Sequence, residues 1–104
     1  MEDSRGEPVD CPRRVLVPAF GRRASKAIAD LPAETAEAVL VLVAELAAGR
    51  ENAWIGVKRL RLRQVLSARA GIHYRVLFSV GDGVLDVTHV THRRDLEQAI
   101  ASLD

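Results

Sequence analysis

Two histidines and two arginines near the ends of two predicted strands are the residues whose types suit chemistry. His73 and Arg75 stand at the start of one strand, and His92 and Arg93 stand at the end of the next. Guanidinium groups hold phosphate through forked hydrogen bonds, and imidazoles exchange protons near neutral pH. We therefore predict that these four residues bind a phosphate and move protons beside it.

A long acid-free stretch surrounds the first of these strands. Residues 53–81 contain no Asp or Glu, and basic residues alternate there with apolar ones, as in V-K-R-L-R-L-R. Alternation predicts a sheet with one cationic face, which attracts polyanions within about 8–10 Å. A merely solvated face would show the same pattern. The residues predicted to contact flanking phosphates are Lys58, Arg59, Arg61, Arg63, Arg69 and Arg94.

Length and composition predict a single small globular domain. The chain has 104 residues, of which 48% are apolar and 28% charged, and its net charge is +1. The charge is uneven: residues 1–52 carry 7 bases and 9 acids, whereas 53–104 carry 8 bases and 5 acids. The cationic character therefore belongs to the second half, where the candidate residues lie.

Several classes of protein are disfavoured by what the sequence lacks. Cys11 is the only cysteine, so an intrachain disulfide and a cysteine-cluster metal site are excluded. We expect no metal and no cofactor. The sequence shows no apolar leader and no run of 18 apolar residues, which predicts a cytoplasmic protein without a membrane partner.

Apolar periodicity divides the chain into helices followed by strands. Residues 1–14 are polar and predict a flexible tail before a domain at 15–104, which opens with a short strand at 15–17. A period of 3.6 predicts helices over 20–31 and from Pro32 to Gly49, and a helix over 93–103. A period of 2 predicts strands at 59–63, 65–70, 72–80 and 84–91. The fold class is therefore α+β, with an N-terminal helical hairpin packed on a three- to four-stranded antiparallel sheet and a short C-terminal helix. The helices are expected on one face of the sheet.

Gly81-Asp82-Gly83 between two alternating runs predicts a β-hairpin with a loop at 82–83. This register assigns Tyr74 and Phe78 to an apolar face and His73, Arg75 and His92 to the open face. Because cross-strand neighbours are about 4.5–5.5 Å apart at Cβ, these last three residues should cluster. The predicted partners are Tyr74 with Thr91, Val76 with His89, Phe78 with Val87, Val80 with Leu85, His73 with His92, Arg75 with Val90, Leu77 with Thr88, and Ser79 with Asp86.

The order of motifs resembles that of the RelE/ParE superfamily of toxin–antitoxin toxins over roughly residues 15–103. The motifs are V-K-R-L at 57–60, S-A-R-A-G-I-H-Y-R-V-L-F at 67–78, the D-G turn, and V-T-H-R-R-D-L at 90–96. The resemblance implies a small antiparallel sheet with two N-terminal helices, a bacterial or archaeal cytoplasm, and a cognate antitoxin. One branch of the family cleaves mRNA on the ribosome without metal, and another poisons DNA gyrase without cleaving anything.

Residue by residue, the resemblance assigns roles to the arginines. Arg75 matches the family's arginine in the G-x-Y-R strand, and Arg93 matches the arginine after the last strand. Lys58 or an arginine of 59–63 occupies the family's basic stretch. Two features depart from the pattern. Where RNA-cleaving members commonly carry a terminal tyrosine, this chain has Glu97, Gln98 and Ala99, and Gly71–Tyr74 holds one residue more than G-x-Y.

The leading functional hypothesis is a growth-arresting toxin that cleaves mRNA. Arg75 and Arg93 would clamp the scissile phosphate, and His92 or His73 would transfer protons. Lys58, Arg61 and Arg69 would follow the flanking phosphates. A gyrase inhibitor without catalysis and a catalytically degenerate antitoxin-binding module remain as alternatives. The predicted partners are an antitoxin and either mRNA on the ribosome or DNA gyrase.

Overall fold

The computed structural model describes residues 7–60 and 64–101, and these form a sheet with helices on both of its faces. The α+β class predicted from the sequence is confirmed. The strands are β1 (Glu7–Pro8), β2 (Val17–Phe20), β3 (Lys58–Arg59), β4 (Leu66–Ala70), β5 (Tyr74–Gly81) and β6 (Val84–His92). The helices are α1 (Arg22–Ala29), α2 (Ala33–Ala47), α3 (Glu51–Trp54) and α4 (Leu96–Ala101), the last preceded by a 3-10 turn at Arg93–Asp95.

The sheet is larger than predicted and is mixed. Its strand order is β1-β3-β4-β5-β6-β2, and β2 pairs parallel to β6 while the other pairs are antiparallel. The prediction of three to four antiparallel strands is therefore incomplete. The short strand predicted at 15–17 corresponds to β2, which starts two residues later, at Val17, and continues through Pro18 to Phe20. The prediction did not place it in the sheet. Proline is tolerated there because β2 is an edge strand.

The start and the end of α2 lie close to the predicted positions. Pro32 is the residue before the first turn of α2, and its φ of −55° suits that entry. Gly49 follows the last turn with φ 79°, and its N–H donates to Leu46 O at 3.1 Å. The next N–H, of Arg50, donates to Glu45 O at 3.1 Å, which completes a Schellman-type stop.

The main core lies between α1, α2 and the apolar face of the sheet. Trp54 closes one end of it: its Nε1–H donates to Leu46 O at 3.0 Å, and its ring meets Phe78 edge-on at 5.8 Å. Its burial shows that Trp54 is a core residue and not a surface for stacking bases. The fully buried residues of this core with the largest side chains are Trp54, Phe78, Leu46, Leu85, Val39, Val43, Val57, Val76 and Val87.

A second, smaller core lies on the opposite face of the sheet. Leu77 is fully buried there against Leu60 and Leu96, so α4 packs on the face that does not contact α1 and α2. Sequence analysis predicted helices on one side only. The difference arises because α4 presents Leu96 and Ile100 to a sheet face that carries its own leucine.

The described part of the predicted tail belongs to the domain. Glu7 and Pro8 pair with Arg59 and Lys58, and Val9 and Cys11 pack against the main core. For residues 7–14 the structure therefore differs from the predicted tail, and residues 1–6 lie outside the described residues. No helix within 7–60 and 64–101 has the length and apolarity that crossing a membrane requires.

Candidate functional site

On the face that α4 partly covers, three neighbouring strands carry a row of paired residues, Arg69, Arg75 and Thr91. We call it the cationic row after its two arginines. Arg69 on β4 pairs with Arg75 on β5, and Arg75 pairs with Thr91 on β6. Adjacent strands are about 4.8 Å apart, so the row is about 10 Å long at the backbone. Side chains alternate between faces, so Arg75 points away from the face that Val76 and Phe78 bury against the helices.

The pairing of Arg75 with Thr91 corrects the predicted register. The hairpin is as predicted next to its turn, where Phe78 pairs with Val87, but a bulge between Leu77 and Phe78 shifts the remaining pairs by one residue. Thr88 is the extra residue, and its hydroxyl donates to Leu77 O at 3.2 Å. Five predicted pairs are therefore wrong: Tyr74–Thr91, Val76–His89, Leu77–Thr88, His73–His92 and Arg75–Val90. The observed pairs are Tyr74–His92, Arg75–Thr91, Val76–Val90 and Leu77–His89.

The observed register pairs His92 with Tyr74, on the face opposite Arg75, so the predicted grouping of His92 with Arg75 on one face is wrong. The two candidate histidines nevertheless meet at the end of the sheet. The rings of His73 and His92 are stacked, with centroids 5.6 Å apart and planes 15° apart, and Tyr74 meets the His92 ring edge-on at 5.3 Å. The backbone N–H of Arg93 donates to His73 O at 2.6 Å. His73 is exposed because it belongs to the turn between β4 and β5, whereas His92 is half-buried.

The hydrogen bond at His92 assigns the protons of its ring. Its Nδ1 accepts the backbone N–H of Arg94 at 3.2 Å, so the neutral ring carries its proton on Nε2. Loss of hydration lowers the pKa of His92, and the positive charges of Arg94, His73 and Arg93 lower it further, against a smaller opposing effect of Asp95. These effects favour the neutral form of His92, and the hydrogen bond engages its one basic nitrogen.

Arg75 on β5 and Arg93, the first residue after β6, lie at the same end of the sheet. Arg75 is half-buried, and its Nη1 donates to Tyr74 O at 3.4 Å. Arg93 is exposed and comes two residues after Thr91, the partner of Arg75. The rise along a strand and the strand spacing place their Cα atoms roughly 8 Å apart. Two guanidiniums at this separation can reach one phosphate.

The other predicted phosphate-binding residues divide between the two faces. Lys58 pairs with Ser67, which pairs with Leu77, so Lys58 lies on the same face as Arg75. Arg59 pairs with Leu66 of the main core and lies on the opposite face, so it is not part of the row. Arg94 is exposed on the 3-10 turn. Arg61 and Arg63 fall outside the described residues.

Sequence reasoning missed two residues that contribute to the site. Thr91 was assigned to the apolar face, yet it completes the row of Arg69 and Arg75. Tyr74 was assigned to the core, yet it also forms the edge contact that holds the His92 ring. Simple alternation along the strand places Thr91 on the wrong face of the sheet. Its position beside Arg75 follows only from the bulge at Thr88.

One further histidine lies near this face without joining the cluster. His89 pairs with Leu77 and is half-buried, and burial together with the charge of Arg23 lowers its pKa. Within 7–60 and 64–101, no group of three or more His, Cys, Asp or Glu residues is arranged to hold a metal ion.

Comparison with known proteins supports the resemblance found in the sequence. No family model and no curated protein matches the chain. Among solved structures, it is similar to a chain of the toxin–antitoxin complex RelBE2 from Mycobacterium tuberculosis, with 26% identity and a TM-score of 0.60. The match covers 83% of this chain and 100% of that chain. The fold and this likeness over most of the chain support a RelE-type toxin.

Proposed function

We propose that the chain is the toxin of a type II toxin–antitoxin system and arrests growth by cleaving mRNA on the ribosome without metal. The observation that carries the proposal is that the backbones of Arg75, Arg93 and His73 lie together at one end of the sheet. Arg93 directly follows β6, which pairs with the strand of Arg75, and the backbone of Arg93 is bonded to that of His73. Cations and an exposed imidazole are the groups that metal-free RNA cleavage requires.

In this proposal His73 acts as the base. It accepts the proton of a ribose 2′-hydroxyl, whose oxygen attacks the adjacent phosphorus while the bond to the 5′-oxygen breaks. The products are a 2′,3′-cyclic phosphate and a 5′-hydroxyl, and the departing oxygen takes its proton from solvent. Arg75 and Arg93 stabilise the charge of the phosphorane. His92 stacks on His73 and orients it rather than transferring a proton, because its Nδ1 accepts from Arg94.

The flanking cations extend the surface along which RNA would lie. Arg69 is exposed beside Arg75, and Lys58 lies on the same face two strands from Arg75, about 12 Å away at the backbone. We propose that these two residues bind the phosphates next to the scissile one. We do not assign this role to Arg59, because it lies on the other face.

The proposed partner is an antitoxin with an acidic amphipathic helix. The row of Arg69 and Arg75, with Arg93 and Arg94 beyond it, offers the complementary charge, and α4 covers only the leucine part of the same face. An acidic helix laid across this row would neutralise it and block access of RNA to His73.

A different observation favours a second function, the inhibition of DNA gyrase. No Phe, Trp or Tyr follows Phe78, so the terminal aromatic residue common in RNA-cleaving relatives is absent from the sequence. A third candidate, a module that binds an antitoxin without catalysis, rests on the same observation.

Induction of the chain in growing cells separates the three functions. The proposal predicts rapid loss of protein synthesis and mRNA fragments with 5′-hydroxyl ends inside the reading frame. Intact mRNA with a DNA-damage response would identify the gyrase inhibitor instead. Normal growth and intact mRNA, with the folded chain present in the cells, would leave only the antitoxin-binding module.

A further inference from the structure

The exposed side of α2 carries a shallow, open groove that is separate from the cationic row and shares only Leu42 with the core. The groove is formed by side chains of this single helix, and its Val41 is 49% exposed. The adjacent Leu40, which does not line the groove, is 46% exposed. Exposed apolar groups grouped in this way mark contact surfaces. The lining residues are Glu34, Glu37, Ala38, Val41, Leu42 and Glu45.

The spacing of these residues fits a helix as the occupant. Glu34, Ala38, Val41 and Glu45 follow one another at intervals of four, three and four residues, which is the spacing of a helical contact seam. Ala38 is small, so a partner backbone can approach closely at the centre. The seam spans about 16 Å, or three helical turns. A partner helix of about three turns with a central apolar residue matches this length.

The charge of the groove decides the chemistry of that helix. The sequence of α2 contains three glutamates and no basic residue, and Glu34, Glu37 and Glu45 surround Ala38 and Val41. We infer that this groove binds a basic amphipathic helix of another protein, with apolar residues against Ala38 and Val41 and Arg or Lys opposite the glutamates. This surface is separate from the cationic row, whose partners are acidic.

Two other occupants fit the observations less well. A second copy of the chain, docked through the same surface, would oppose three glutamates with three more and be repelled. A segment of the same chain would need about 11 residues to span the seam. The longest stretch outside the described residues is 1–6, which contains two acids and one base.

The test uses two synthetic peptides of about 16 residues that differ only in charge. Both carry Leu at the four–three–four spacing, flanked by Arg in one peptide and by Glu in the other. Fluorescence anisotropy with the full chain should show that the Arg peptide binds at least about tenfold more tightly than the Glu peptide. Amide shifts in an NMR titration should map to 34–45, and added salt should weaken the binding.

Charge reversal supplies the matched variants. Glu37→Lys combined with Glu45→Lys should weaken the Arg peptide about tenfold or more and improve binding of the Glu peptide. Glu51→Lys is the control, because Glu51 is also an exposed helical glutamate but lies outside the groove. Equal binding of both peptides, shifts that map elsewhere, or a dimer in light scattering that Val41→Lys dissociates would overturn the inference. These readouts need neither RNA cleavage nor growth arrest, so they fail or succeed independently of the proposed function.

Discussion

The imidazole of His92 caps the turn that leads into α4: its Nδ1 accepts the backbone N–H of Arg94 at 3.2 Å. The same ring is stacked on His73 and makes a T-shaped contact with Tyr74. One side chain therefore joins the proposed site to the start of the helix that covers Leu77. Protonation of Nδ1 would break this connection, since a protonated nitrogen cannot accept a hydrogen bond.

The first prediction concerns the dependence of stability on pH. The folded-state pKa of His92 lies below its ordinary value of 6.5, so the unfolded chain binds the proton more readily. The stabilisation that His92 contributes is therefore fully present above its pKa in the unfolded chain. It is lost progressively as the pH falls through that value, and it is gone below the pKa of His92 in the folded chain. His89 contributes in the same direction. Urea unfolding as a function of pH should show stability falling on acidification through this window.

The substitution His92→Asn distinguishes the capping hydrogen bond of residue 92 from the effect of its protonation. Asn caps helices well and does not titrate, so His92→Asn should keep the fold and reduce the loss of stability on acidification. His92→Ala should lose the cap at every pH. His89→Gln serves as the companion variant, because it removes only the second contribution. An unchanged pH profile in His92→Asn would refute the role given to this ring.

The second prediction concerns the arginines of the row. Arg75→Ala or Arg93→Ala should lower the rate of RNA cleavage on ribosomes about 10²–10³-fold, the usual effect of removing one donor that stabilises developing charge. Arg69→Ala, at an exposed flanking position, should cost only roughly 2–5-fold, in line with an exposed ion pair. Arg50→Ala is the control, since Arg50 is exposed before α3 and outside the row. Full toxicity of the Arg75/Arg93 double variant would refute the site.

The third prediction concerns Trp54 in the main core. Trp54→Ala should lower the free energy of unfolding by about 3–5 kcal/mol, because it leaves a large cavity against Phe78. Trp54→Phe should cost about 1–3 kcal/mol, because Leu46 O loses its indole donor. Ile55→Ala, next in sequence but 76% exposed, should stay within about 0.5 kcal/mol of the parent. Urea titration followed by circular dichroism measures all three, and equal losses for Trp54→Ala and Ile55→Ala would contradict the packing.

The fourth prediction concerns the hairpin turn. Asp82 and Gly83 have φ values of 54° and 77°, the left-handed pair of a type I′ turn. Gly83→Ala should lower the free energy of unfolding by about 1–2 kcal/mol, since a side chain in that region is strained. Gly56→Ala is the control, because a Cβ at Gly56 meets open space and its φ is not positive. A loss at Gly56→Ala that matched that at Gly83→Ala would show that the turn geometry is not the cause.

Local features of the fold were predictable because each depends on a few neighbouring residues. The hairpin loop at Asp82 and Gly83 follows from a dipeptide that tolerates left-handed backbone. The end of α2 follows from Gly49, and the burial of Trp54 and Phe78 follows from their apolar surface. The concentration of bases in the acid-free stretch was equally visible, and the structure assembles Lys58, Arg69 and Arg75 from it on one face.

Long-range packing decided those features of the fold that the sequence did not predict. The amino-acid sequence by itself determined the α+β class, the two-residue hairpin loop and the cationic strands, because propensity, turn chemistry and alternation act over a few residues. Only the tertiary structure decided that the bulge at Thr88 pairs Arg75 with Thr91, that β2 joins β6 in parallel, and that α4 covers Leu77. A shift of one residue exchanges the faces of a strand, and nothing local to Thr88 fixes where that shift occurs.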